Sequence, residues 1–150
     1  MMRFLAILTL TVFLLRRSLL IITVQGESMV PTLDDGDRVL LLHYRWRWLL
    51  RQGQLVVCCY PESQSHMCIK RLVGLGGDSV SLPAQTMHFW PIGHRPLEQD
   101  AGEVVVWQIP PGHCFVKGDA AYSYDSTFWG PISLNHLVGI VLLKLPRHVP

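Results

Sequence analysis

Leu19-Leu20-Ile21-Ile22-Thr23-Val24 followed, after Gln25, by Gly26-Glu27-Ser28-Met29-Val30-Pro31-Thr32 is the stretch that sets the architecture of this 150-residue chain. The apolar run has the length and β-branched content of a strand buried in a sheet or lying against a membrane. Gly26 permits a sharp turn that carries Ser28 beyond the strand's end. Pro31 fixes its own φ and biases Val30 toward extended backbone, which stiffens the loop and holds the Ser28 hydroxyl in one orientation. A serine so presented has the position of a nucleophile, although many Ser-x-x-Pro segments are ordinary turns. A base supplied from elsewhere in the chain separates the two readings.

Outward from this turn the pattern repeats. Asp34-Asp35-Gly36-Asp37 is a tight turn and Arg38-Val39-Leu40-Leu41-Leu42 a strand; Gln54 to Tyr60 is a further strand, ended by Pro61. His66 to Leu75 is a strand-length apolar run that stops at the turn Gly76-Gly77-Asp78. Residues 83–103, rich in Pro, Gly and polar groups, read as an excursion. Glu103 to Ile109, His113 to Lys117 and Leu137 to Leu145 complete the strands, and Gly118 to Gly130 is a polar loop. Short strands with frequent turns predict a mainly β fold of short antiparallel strands in one domain, with no internal repeat.

Ahead of the fold, Phe4 to Leu15 is an apolar, helix-like run broken by Arg16-Arg17. Twelve residues at about 1.5 Å each cover about 18 Å, short of the roughly 30 Å hydrocarbon core. Extension to Val24 gives 21 residues. Two central arginines then cost about 5 to 7 kcal/mol, about what a dozen Leu, Ile, Phe and Val return. Residues 1–18 are therefore expected to form an N-terminal membrane-anchor helix, tilted or interfacial with snorkelling arginines, ahead of a domain at 19–150. A removable secretory signal competes, but no small-x-small cleavage site precedes Ser28. His43 to Arg51 alternates arginine with tryptophan, which suits either a headgroup zone or an amphipathic segment with its tryptophans turned inward.

Composition narrows the chemistry. Thirteen basic and eleven acidic residues leave a net charge of +2, and 16% of the chain is charged, so no face is built for nucleic acid. Cys58, Cys59, Cys68 and Cys114 contain no Cys-x-x-Cys pair and read as small core residues; a bridge from Cys58 or Cys59 to Cys68 or Cys114 is open to the chain in an oxidising space. The seven His residues lack paired-ligand spacing, so neither a metal nor another cofactor is expected. Of the basic residues only Lys70, Lys117 and Lys144 are lysines.

Lys70 and Arg71 fall inside the apolar run His66 to Leu75, where a cation is costly unless it is neutral or paired. Desolvation there lowers a lysine's pKa, and a neutral amine can take a serine proton, so Ser28 and Lys70 form a candidate dyad. A hydroxyl both donates and accepts, which makes Ser123 the candidate to orient the amine. A carboxylate beside Lys70 would raise its pKa, so Asp125 is expected to pair with Arg71 and fix the loop.

These residues resemble the type I signal peptidases, the serine-lysine proteases of the S26 class, over roughly residues 19–82 and 104–142. Gly26 to Leu33 is similar to the nucleophile box, and Gly36-Asp37-Arg38-Val39-Leu40 to the strand after it. Ile69 to Asp78 is similar to the lysine box. Pro111 to Asp119 with Ser123, Asp125-Ser126 and Trp129-Gly130-Pro131 is similar to the last box. The resemblance implies a signal-peptidase-type β-rich catalytic fold apposed to a membrane, with Ser28 as nucleophile, Lys70 as general base and Ser123 positioning the lysine. It implies that the Ser28 N–H helps form the oxyanion hole, and that the domain lies on the outer (trans) face of the membrane, in contact with lipid. Its partners would be precursor proteins, cut after small residues at the first and third positions before the bond. The chain departs from the family pattern at four positions. Gly26 stands where some members carry a hydroxyl, Ala120 where asparagine is usual, Thr127 in place of an arginine and Gly76 in place of a proline. The loop to Ser123 is also one residue shorter than in several members. The altered Ala120 and Thr127 keep a second class of function in view, a non-catalytic membrane-attached peptide-binding module. A third, a self-cleaving regulator protease, is opposed by the absence of a DNA-binding segment ahead of the domain.

Overall fold

The computed structural model describes residues 18–43, 47–83, 86, 99–100 and 104–146. The expected anchor helix over 1–18 lies outside the described residues except for Ser18, as do most of the excursion at 83–103 and residues 44–46 of the Arg/Trp segment.

The fold is mainly β, with antiparallel sheets. Ten strands are described: β1 (Leu19–Thr23), β2 (Arg38–His43), β3 (Leu55–Tyr60), β4 (Ser63–Leu75), β5 (Ser79–Pro83), β6 (Gln99–Asp100), β7 (Val104–Gln108), β8 (His113–Lys117), β9 (Ile132–Ser133) and β10 (Leu137–Leu145). Seven form one sheet in the order β1-β2-β10-β3-β4-β8-β9, and β5-β7-β6 form a second. β4 is the spine: its first part pairs with β3 from Met67 to Arg71, and its last part with β8 from Arg71 to Leu75. The closing strand β10 lies between β2 and β3, which brings the first and last described strands into one sheet.

Several elements differ from the sequence expectation, among them β6, which falls inside the excursion, and β9, a two-residue strand in a segment with no strand signal. β5 spans residues left unassigned between the Gly76-Gly77-Asp78 turn and the excursion, which it meets only at Pro83; Ser79, Ser81 and Pro83 are exposed while Val80 is buried, so its alternation is real but too short and polar to stand out. Inside the polar loop, Asp125 caps a single helical turn, α1 (Ser126–Trp129), which ends at Gly130 with φ of 73°.

Three apolar clusters fill the fold. Val56, Cys58, Leu72, Cys114, Val116, Trp129, Ile132 and Leu137 form one. Met29, Leu33, Val39 and Val24 form another, against Leu55 and Ile69, so the Ser28 loop is anchored by the apolar residues on either side of it. The third joins the two sheets: Phe115 of β8 packs on Trp107 of β7, with ring centroids 5.9 Å apart, beside Val80, Val105 and Ile109. The turn from β4 to β5 closes tightly over residues 110–112; a Cβ at Gly76 would lie 2.8 Å from the Pro110 carbonyl oxygen, which explains glycine there.

Phe115 is fully buried at the junction of the sheets. Phe115→Ala is expected to lower stability by about 3–5 kcal/mol through lost transfer energy and the cavity left behind, read as a lower urea midpoint.

Candidate active site

The pleat of β4 settles the two cations that sit side by side in sequence. Successive side chains of a strand point to opposite faces, so Lys70 and Arg71 diverge. Lys70 joins Cys68 and Leu72 on one face and is only 1% exposed. Its Nζ donates to Ser123 Oγ at 2.9 Å. Burial pushes the Lys70 pKa below its ordinary 10.5, with the nearby Lys117 charge acting the same way; Cys68, Asp125 and Cys58 pull against it. Arg71 turns to the other face. It makes a two-pronged contact with Asp119, Nε to Oδ1 at 2.8 Å and Nη2 to Oδ2 at 2.5 Å, and its Nη1 donates to the Gly53 carbonyl.

The Arg71–Asp119 pair also reaches the serine loop. Thr32 Oγ1 donates to Asp119 Oδ2 and accepts from Arg71 Nη2, and Ala120 N donates to the Ser28 carbonyl at 3.1 Å. The segment carrying Ser28 and the segment leading to Ser123 are therefore laced together. Ser28 lines an open groove of about 630 Å³ with Glu27, Val30, Pro31, Asp119 and Ala120. Its N–H donates to no backbone carbonyl among the described residues.

Gly118 is the point of closest approach. A Cβ built there would overlap Ser123 Oγ and Cβ and would lie 2.7 Å from the Ser28 carbonyl oxygen. The Ser123 hydroxyl that holds Lys70 and the backbone of Ser28 thus share one methyl-sized volume, available only because residue 118 has no side chain. Among the described residues no hydrogen bond joins Lys70 to Ser28 directly; what the two share is the Gly118 position, against which both the Ser123 side chain and the Ser28 carbonyl lie.

Asp125 does not pair with Arg71, which is taken by Asp119. It is instead buried, at 1% exposure, and its carboxylate is satisfied by backbone and hydroxyl donors. Oδ2 accepts from Gly118 N at 2.8 Å, and Oδ1 accepts from Thr127 N at 2.9 Å and Thr127 Oγ1 at 2.8 Å. The physical reason is proximity: Asp125 caps α1, so donors two residues on and across the loop mouth satisfy it before any long side chain is needed. Thr127 is therefore the partner that the missing arginine left unassigned.

Sequence reasoning also passed over Asp119, Thr127, Gly118 and Tyr124. The Asp125-to-Gly130 spacing is a cap signature that pointed to Thr127. Tyr124 carried no signal: it follows Ser123 and fixes the loop by donating to Glu62 Oε1 at 2.7 Å, stacking on Tyr60 and meeting Trp129 edge-on. No His, Cys, Asp or Glu cluster among the described residues is arranged to hold a metal ion.

A family model described as signal peptidase, peptidase S26, matches residues 1–89 and 91–145. Among curated relatives, the mitochondrial ATP-independent inner membrane protease subunit 1a of Arabidopsis thaliana is 34% identical over 125 residues, covering 81% of this chain and 67% of the relative. The mitochondrial inner membrane protease subunit 2 of Mus musculus is 33% identical, covering 76% and 59%. The thylakoidal processing peptidase 1, chloroplastic, of Arabidopsis thaliana is 32% identical, covering 78% and 39%. The chain thus spans between about two fifths and two thirds of the length of these relatives.

Thr127→Val keeps the side-chain shape and removes the hydroxyl from a buried carboxylate, so stability is expected to fall by about 1–3 kcal/mol in urea unfolding. The Asp119 carboxyl is held below its ordinary 3.8, first by the Arg71 hydrogen bonds and then by Thr32 and the Arg71 charge, against the opposing effect of burial. Its contribution is present above that ordinary value and lost as pH falls through the lower folded-state value. Asp119→Asn is expected to flatten that part of the stability–pH curve, measured by thermal unfolding in acid.

Proposed function

The chain belongs to the signal peptidase family, peptidase S26, and from that footing we propose that it is a membrane-associated serine endopeptidase using Ser28 and Lys70 to remove signal or leader peptides from translocated precursors. The observation that carries this reading is a lysine 1% exposed whose amine has a serine hydroxyl as its hydrogen-bond partner, that serine meeting Gly118 beside the backbone of a second serine that lines an open groove.

The chemistry follows from the amine's surroundings. Desolvation shifts Lys70 toward its neutral form, in which the amine carries a lone pair. Donation of one N–H to Ser123 fixes the amine and leaves the lone pair to take the Ser28 proton as Ser28 Oγ attacks the scissile carbonyl. The Ser28 N–H, which donates to no backbone carbonyl among the described residues, then donates to the oxyanion where charge develops. The ammonium so formed returns its proton to the departing amine, and water later releases the acyl group from Ser28 by the same base. Asp125 and Arg71 support the loops and take no part in the proton transfer. Cleavage after small residues, contact with lipid and placement on the trans face follow from the family resemblance alone; the inner membrane protease names of two relatives support the membrane association.

With a precursor carrying an Ala-x-Ala site, Ser28→Ala and Lys70→Ala are each expected to lower kcat/KM by about 10³-fold or more while the domain stays folded. Lys70→Arg fails equally, because a guanidinium supplies no free base. Ser123→Ala is expected to cost about 10–100-fold through misplacement of the amine. Activity rises with pH as Lys70 loses its proton, with a midpoint below the ordinary 10.5. A flat profile from about pH 6 to about pH 10, with chemistry rate-limiting, would overturn the mechanism. Intact precursor that nonetheless binds would leave a peptide-binding module in its place.

A further inference from the structure

Cys58 and Cys68 face one another across β3 and β4, two register positions from Val56 and Lys70 and so on the same face of the sheet. Their sulfurs are 3.5 Å apart, and all four cysteines are free thiols. Directly opposed residues in an antiparallel pair have Cα atoms about 4.5–5.5 Å apart, inside the roughly 4.4–6.8 Å that a disulfide spans. Closing a bond of about 2.0 Å therefore needs the sulfurs to approach by about 1.5 Å, within reach of small side-chain rotations. Cys59 pairs with Met67 instead, on the other face of the sheet.

The two thiols are unlike. Cys58 is fully buried, while Cys68 is half-buried and reachable from solvent. The Cys58 hydrogen bond lowers the Cys68 pKa, burial opposes it and the Lys70 charge adds to the lowering; the same hydrogen bond, then burial, raises Cys58. The contact thus favours the proton on the inner sulfur and thiolate character on the outer one, which suits an attacking Cys68 backed by a resolving Cys58.

We propose that Cys58 and Cys68 are an exchange site for low-molecular-weight disulfides of the glutathione class, closing into a cross-strand disulfide beside Lys70. The Cys68 thiolate attacks one sulfur of the small disulfide, forms a mixed disulfide and expels one thiolate, which takes up a proton from water. Cys58 sulfur then attacks Cys68 sulfur; the Cys58 proton goes to the second departing thiolate. Two cysteine thiols are oxidised and one external disulfide is reduced to two thiols.

Closure changes what Lys70 faces. In the reduced protein the charged or ionisable groups around the amine are Cys68 on its own strand, Cys58 on β3, Asp125 on the loop and Lys117 on β8. A thiolate at Cys68 favours the ammonium. The disulfide carries no charge, so oxidation removes that pull and frees the amine at lower pH. This second consequence rests on Lys70 being the base; the disulfide itself does not.

The test uses the full chain, reduced and then incubated folded with oxidised glutathione, alkylated in denaturant and mapped by mass spectrometry. The expected result is loss of two of the four alkylatable thiols, with Cys58 and Cys68 in one linked peptide. In Cys58→Ser, reaction is expected to stop at a glutathione adduct on Cys68. Four remaining thiols, a stable adduct on wild-type Cys68, or a link through Cys59 or Cys114 would each refute the pair. In cleavage assays the acid limb of kcat/KM is expected to move to lower pH on oxidation, and an unmoved limb with the bond mapped would refute the coupling to Lys70. Absence of cleavage in both redox states would refute the peptidase reading and leave the mapped bond standing.

Discussion

An amine with almost no contact with solvent is the constraint on which the rest of the site depends. A lysine ammonium taken out of water costs several kcal/mol, and the protein meets that cost by lowering the affinity of Lys70 for its proton rather than by pairing it with a carboxylate. The nearest hydrogen-bonding group is a neutral hydroxyl, Ser123. Asp125 lies close enough to act on the amine, yet its own oxygens are filled by Gly118 N, Thr127 N and Thr127 Oγ1. A carboxylate occupied in this way steadies the loop without neutralising the amine by contact.

The second cation is handled in the opposite manner. Arg71 cannot lose its proton, so it needs a counter-charge, and the pleat sends it to the face where Asp119 and Thr32 wait. Adjacent residues of one strand therefore do two jobs. One is a neutral-leaning amine within the sheet's packing, and the other is a permanent charge that clasps the loops before and after the groove. The division works because β4 is long enough to pair with β3 at the amine and with β8 just beyond it.

Much of this was legible in the residues. The strand-and-turn rhythm gave a mainly β fold, and a lysine inside His66 to Leu75 marked itself by being costly there. The Lys70–Ser123 contact followed from asking which hydroxyl the last loop could offer. The pairing of Asp125 with Arg71 failed because charge was matched to charge, whereas the structure satisfies Asp125 with short-range donors of its own helical cap. β5 escaped notice because a strand with three exposed positions in five looks like loop until its partner β7 is known. The closeness of Gly118 to Ser28 and Ser123 could not be read at all, since it is a property of three segments meeting and not of any one of them.

That meeting point has a consequence for how the loop between residues 118 and 125 can change its length. Gly118 is pinned at one end by the lack of room for a side chain and by the Asp125 carboxylate, and Tyr124 is pinned at the other by Glu62 and its aromatic neighbours. Between them Ala121 and Tyr122 are exposed, Tyr122 at 90%. A residue gained or lost there alters only the arc outside the two pins and leaves the serine set against the amine.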